Sequence, residues 1–117
     1  MNRFQFSEND RREMLSIAHN TMRRYIQTGE YTPDREMKVS KQLTIRTGLF
    51  VSVYVENELR GCIGTFSEEE QLFIVLQRMT LSAAFHDSRF PPVTAMEVED
   101  AKVELSVLSP KVPVSSP

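Results

Sequence analysis

A chain of 117 residues with 40% hydrophobic and 26% charged side chains has the composition of one folded domain, which excludes wholesale disorder. Its formal net charge of −2 argues against a general nucleic-acid binder held by phosphate contacts. No apolar run reaches the ~18 residues of a membrane-spanning helix, and the charged start MNRFQFSENDRREM lacks a signal-peptide core.

In chain order, Ser7 reads as an N-cap with Asp10 three residues on and Glu8 near the positive end of the helix dipole. Leu15, Ala18, Met22 and Tyr25/Ile26 recur at helical spacing, with Met14 and Ile17 broadening the stripe and Arg11, Arg12, Arg23 and Arg24 mostly opposite. Gly29 is the natural stop, so a first helix over residues 8 to 28 is predicted. GEYTPDREMKVSKQLT has no sustained period and reads as a loop with room for one short helical turn.

TGLFVSVYVENELRGCIGTF reads as a β-hairpin turning at Glu56-Asn57-Glu58. Ser67 with Glu70 has the form of a capping box for a second, well-buried helix ending near Phe85. HDSRFPPVT is a loop, because Pro91-Pro92 cannot continue a helix. Thr94 and Glu97 offer another capping box for a short helix, and Val103, Leu105 and Val107 alternate as a third strand. The order predicts an α+β fold: a two-layer, mixed or mainly antiparallel sheet, a β-hairpin plus a further strand, covered by two main helices.

Alternation along LRGCIGTF puts Leu59, Gly61, Ile63 and Thr65 on one face and Arg60, Cys62, Gly64 and Phe66 on the other. Leu59 and Ile63 are then core anchors, and Gly61 marks a close helix approach. Two glycines in a strand cost roughly 0.5–1 kcal/mol each relative to alanine, offset by close packing or by backbone access for a ligand. Arg60 beside Cys62 favours a thiolate, and His86 and Asp87 could supply a base and its orienter; the plainer reading of a lone strand cysteine is buried packing. Gly61-Cys62-Ile63-Gly64 has a GxxG form, but inside a strand and in acidic surroundings. Neither Walker-A nor dinucleotide-binding spacing is present, and the histidines His19 and His86 do not complete a metal-ligand set.

The stretches GLFVSVYVENELRGCIGTF, SAAFHDSRFPPVT and VELSVLSP resemble the AMMECR domain family, LRGCIGTF being the most specific of them. The likeness runs from about Ser7 to Pro113 and implies a sheet flanked by helices, with no established enzyme activity and no cofactor. By the same resemblance, surface-cleft residues fall on Arg60, Gly61, Cys62, Gly64 and Thr65, joined by Asp87, Arg89, Phe90 and Pro91 from the later loop. Family domains are often encoded beside, or fused to, Memo-type dioxygenase-like proteins and radical S-adenosylmethionine proteins, which implies a partner of that kind. They are also longer, with further strands and helices after LSVLSP. The expectation is therefore the N-terminal part of one such domain over residues 1–110, followed by a Pro/Ser-rich tail at 111–117.

The leading functional expectation is an accessory or binding module presenting a cleft to a small anionic ligand or a partner protein. Arg60 and Arg89 would be its donors and Phe90-Pro91-Pro92 a rigid apolar wall. Against this stands a structural role in which Arg89 pairs with Asp87 or a glutamate and pins the loop. The alternatives are a cysteine-dependent enzyme using Cys62 with His86 or Asp87, and RNA binding through the first helix. The charge split bears on the latter: through Arg46 nine Lys/Arg against six Asp/Glu give +3, and from Thr47 five against ten give −5. The single cysteine fits a reducing compartment, hence a cytoplasmic address.

Overall fold

A computed structural model describes residues 6–108. Helix α1 spans Glu8–Thr28 and is closed at its start by a reciprocal capping box. The Ser7 hydroxyl accepts from the Asp10 amide, and the Asp10 carboxylate accepts from the Ser7 amide, each at 3.0 Å. Gly29 ends the helix in the left-handed region at φ 74°. The buried stripe runs through Met14, Ile17, Ala18, Thr21 and Met22. Leu15 and Ile26, expected on it, stand at its margin with 38% exposure each, because the pattern 14–17–18–21–22 centres the face about a quarter turn away from them.

Strands β1 (Leu49–Val55) and β2 (Glu58–Thr65) form the hairpin. The turn contracts to Glu56 and Asn57, both at positive φ, and Val55 already pairs with Glu58. Helix α2 (Leu72–Phe85) and the four-residue α3 (Ala95–Val98) follow, then β3 (Lys102–Val107), which returns beside β1. The described sheet is wholly antiparallel, in the order β2-β1-β3.

The start of α2 differs from the expectation. Its N-cap is Gln71, without a side-chain bond, and not Ser67. Tertiary contacts draw residues 67–71 away from helical geometry: Gln71 bridges Arg46, and the Leu72 amide donates to the Ile45 carbonyl at 2.7 Å. Ser67 accepts locally from the Glu69 amide, and the Glu70 carboxylate pairs with Arg35 and Arg78.

α2 is buried nearly all round because it lies between the β1/β2 face and α1. Its one buried amide, Gln77, behaves like a piece of main chain. It accepts from the Asp34 amide at 2.7 Å and donates to the Asp34 carbonyl at 3.0 Å, tying the loop after α1 to the core. That loop holds a single 3-10 turn, Lys41–Thr44, whose Leu43 is fully buried. The apolar core joins Met14, Ala18 and Met22 to Leu49, Val51 and Val53 of β1 and to Leu72, Val75, Leu76 and Leu81 of α2. No helix among the described residues is long and apolar enough to cross a membrane. The Pro/Ser-rich tail at 111–117 lies outside the described residues.

Candidate functional site

The LRGCIGTF strand and the DSRFPP loop meet along the free side of β2. The strand is irregular where they meet: Val53 pairs with Gly61 but Tyr54 pairs with Leu59, leaving Arg60 as a bulge with no partner on β1. One extra residue reverses the alternation before it. Leu59 therefore shares a face with Tyr54 and is 36% exposed, a correction to its expected role as a core anchor, while Ile63 beyond the bulge packs against the core.

Both glycines of the motif are accounted for by close packing. A Cβ on Gly61 would stand 1.6 Å from the Ala83 carbonyl oxygen, so α2 lies directly on that position. A Cβ on Gly64 would meet the Phe50 ring at 2.3 Å on the sheet's other face. The Phe50 ring in turn meets Phe66 edge-on at 5.2 Å between centroids.

Arg60 reaches across to the later loop. Its guanidinium donates to Glu97 at 2.8 Å and to the carbonyls of Pro92 and Pro91 at 3.0 and 3.3 Å. The Arg60 guanidinium first, and the Thr94 amide next, lower the Glu97 carboxyl to about 2. Glu97 does double duty, since it also completes the capping box with Thr94 that starts α3.

Asp87 and Arg89 form a second link. The almost fully buried Asp87 carboxylate accepts from Arg89 Nε at 3.0 Å and Nη2 at 2.8 Å, and from the Cys62 amide at 3.0 Å. Arg89 Nη2 also donates to the Cys62 carbonyl at 2.9 Å. The pair thus occupies the main-chain groups of Cys62 that point away from β1, as a neighbouring strand would. The Arg89 guanidinium and then the Cys62 amide hold the Asp87 carboxyl well below the usual carboxylate range. The outer part of Arg89 is 62% exposed and lies 5.4 Å from the Phe90 ring centroid.

The remaining candidates are dispersed. The Cys62 thiol lies across from Ser52 of β1, whose hydroxyl donates to Sγ at 3.3 Å. His86 turns toward α1, packed edge-on against Tyr25 and Tyr31 with centroids 5.9 and 4.7 Å away. Asp87 touches the main chain of Cys62, not its sulfur. Thr65 accepts from the Ser67 amide at 3.1 Å and shapes the exit of the strand. Cys62, His86 and Asp87 therefore have no hydrogen-bonded nucleophile–base geometry among their described contacts. No group of three or more His, Cys, Asp or Glu among the described residues could hold a metal ion. Glu97, which engages Arg60, was not read as part of the site from sequence; its capping-box spacing to Thr94 was the visible signal. An open groove of about 290 Å³ lies elsewhere, between α1 and the loop tied by Gln77, and is lined by Thr21, Arg24, Asp34 and Met37.

A strand carrying a bulged arginine and two packing glycines, clamped by an Asp/Arg loop beneath a capped short helix, defines a class of α+β domain. The family model described as AMMECR1 matches residues 15–117, and the chain belongs to that family. A protein of Methanothermobacter thermautotrophicus is 36% identical over 110 residues, covering 92% of this chain and 56% of that relative. A Thermotoga maritima protein is 34% identical over 92 residues, covering 77% and 53%. The crystal structure of the uncharacterized protein PH0010 from Pyrococcus horikoshii superposes with a TM-score of 0.77 at 28% identity, covering 90% of this chain and 54% of that one. The chain thus spans about half the length of the relatives it matches.

Proposed function

We propose that the chain is an accessory module that docks a partner protein on the surface formed by the Arg60–Thr65 strand and the Asp87–Pro92 loop. The carrying observation is that Arg60 and Arg89 are already engaged inside the module, so their role is to hold a surface rigid. Around that clamp stand exposed apolar groups: Leu59 at 36%, Phe66 at 66% and Met96 at 89% exposure. A preorganised surface saves ordering entropy on association, and the exposed edge of Arg89 suits an acidic group on the partner. Memo-type and radical S-adenosylmethionine proteins are the partner classes that family resemblance brings forward, and a cytoplasmic setting suits the unpaired Cys62.

A small anionic ligand is a second reading, favoured by one observation: Nη1 of Arg89 makes none of the bonds described above. Binding of purified Memo-type and radical S-adenosylmethionine proteins of the same organism tests the first reading. Met96→Glu and Leu59→Glu should abolish it, while Leu15→Glu on α1 should leave it intact. Absence of binding to either protein, with a thermal shift given by phosphate or a dicarboxylate and lost in Arg89→Lys, would replace the first reading by the second.

A further inference from the structure

His19 of α1 meets two main-chain oxygens at once. Its Nδ1 lies 3.0 Å from the Leu15 carbonyl one turn back, and its Nε2 lies 2.8 Å from the Ala101 carbonyl just before β3. A carbonyl oxygen only accepts, so each contact is a hydrogen bond only when that ring nitrogen carries a proton. A neutral imidazole has one N–H and supplies one of the two bonds. Its other nitrogen would point a lone pair at an oxygen 2.8 or 3.0 Å away, which is repulsive. The imidazolium ion supplies both.

We infer that the folded chain holds His19 as imidazolium and that this proton is a latch between α1 and the turn joining α3 to β3. The inference is independent of the partner proposed above. The latch supports a thin joint. Among the described residues, the other hydrogen bonds from α1 to that turn are those of Arg23 to Glu99 at 2.8 and 3.1 Å, a largely exposed pair. The charged groups of the elements meeting here are Arg12 and Arg23 on α1, Glu99 and Asp100 in the turn, and Lys102 of β3. Glu99 offsets Arg23, and its carboxyl is held below its ordinary value chiefly by that guanidinium and in smaller part by the charge on His19. α2, also packed on α1, carries one charged side chain, Arg78, and it pairs with Glu70. The local charges nearly balance, so the two carbonyls decide the protonation state. When the proton leaves, the ring must release one oxygen. The segment of α3, whose Glu97 holds Arg60, then loses one of its ties to α1.

Nitrogen-detected NMR of the imidazole ring in the whole chain tests this, with the exposed second histidine removed as His86→Gln so that one imidazole remains. At pH 7 a free histidine, with its ordinary value near ~6.5, is mostly neutral, whereas His19 should carry protons on both nitrogens in most molecules. The folded state then binds more protons than the unfolded one. Stability from the latch is therefore complete below the ordinary imidazole value and is lost as pH rises above it. Between about pH 5.5 and 8.5 the unfolding constant in urea should rise about tenfold more in the parent than in His19→Gln, which keeps a donor but does not titrate. A single neutral tautomer of His19 at pH 7 overturns the proposal. So does a stability difference between parent and His19→Gln that is the same at every pH, the result expected of a merely structural side chain. If His19→Gln fails to fold, the spectra of the histidine itself decide.

Discussion

Gly61→Ala should be among the most damaging single-methyl additions in this molecule. The new Cβ would stand 1.6 Å from a main-chain oxygen of α2, the carbonyl of Ala83. Restoring an ordinary separation of about 3.4 Å requires helix and strand to part by roughly 1.5–2 Å. Neither can yield locally, since α2 is buried between α1 and the sheet and β2 is tied to the loop at Arg60 and Cys62. Overpacking costs typically ~1–3 kcal/mol and more against a rigid backbone, and the gain from replacing a strand glycine offsets only ~0.5–1 kcal/mol of it. A net loss of about 2–3 kcal/mol corresponds to roughly a 10–20 °C fall in Tm for a domain of this size. Thermal melts followed by circular dichroism, with urea unfolding to check that the m-value is unchanged, measure it. Gly64→Ala makes the comparison: its Cβ would meet the movable Phe50 ring at 2.3 Å but also the Leu49 carbonyl oxygen at 2.7 Å, a smaller backbone encroachment than at Gly61, so a lesser loss of about 1–2 kcal/mol is expected. A Gly61→Ala protein melting within about 3 °C of the parent would refute the reasoning that this contact sets the helix–sheet spacing.

The capping assignments separate cleanly: Ser7→Ala and Thr94→Ala should each cost about 1 kcal/mol, whereas Ser67→Ala should stay within ~0.5 kcal/mol, all read by urea denaturation. Because the bulge turns Leu59 outward, Leu59→Ala should cost under ~1 kcal/mol while Ile63→Ala costs about 1–2 kcal/mol; equal losses would contradict the register. The Asp87 carboxyl is depressed in the folded state, so its stabilisation is complete above the ordinary carboxylate value near ~3.9 and is lost as pH falls through the lower native value. Tm measured from neutral pH downward should therefore drop less steeply in Asp87→Asn, the two curves converging in acid, and parallel curves would count against the clamp.

Much of the fold could be read from the chain because local signals and tertiary packing agree. Ser7/Asp10, Gly29, Thr94/Glu97 and the alternation through Leu49–Val55 each fix an element by short-range chemistry. Sequence reading fails where a distant contact overrides the local pattern. Ser67/Glu70 has capping-box spacing, yet the Arg46–Gln71 bridge and the ion pairs of Glu70 delay the helix to Leu72. Leu59 is misplaced because a bulge inserts one residue without a compositional mark. Gly61 as a helix contact was legible from its core-facing position, whereas Gly64 required the Phe50 ring to be located. Arg60, Asp87 and Arg89 stand out in the sequence as candidates, but that Arg89 pairs with Asp87 and Arg60 with Glu97 depends on a loop that only the folded chain positions.

The Cys62 amide is bonded to a side chain, although it belongs to a strand. Hydrogen exchange at that amide therefore follows opening of the 86–92 loop, not unzipping of the sheet, and has its own free energy below that of global unfolding. Neighbouring amides of β2 that bond to β1 should exchange only with the sheet. The molecule thus carries a built-in pair of clocks a residue apart, one timing the loop and the other the fold. A ligand that engages the loop alone would slow the first and leave the second unchanged.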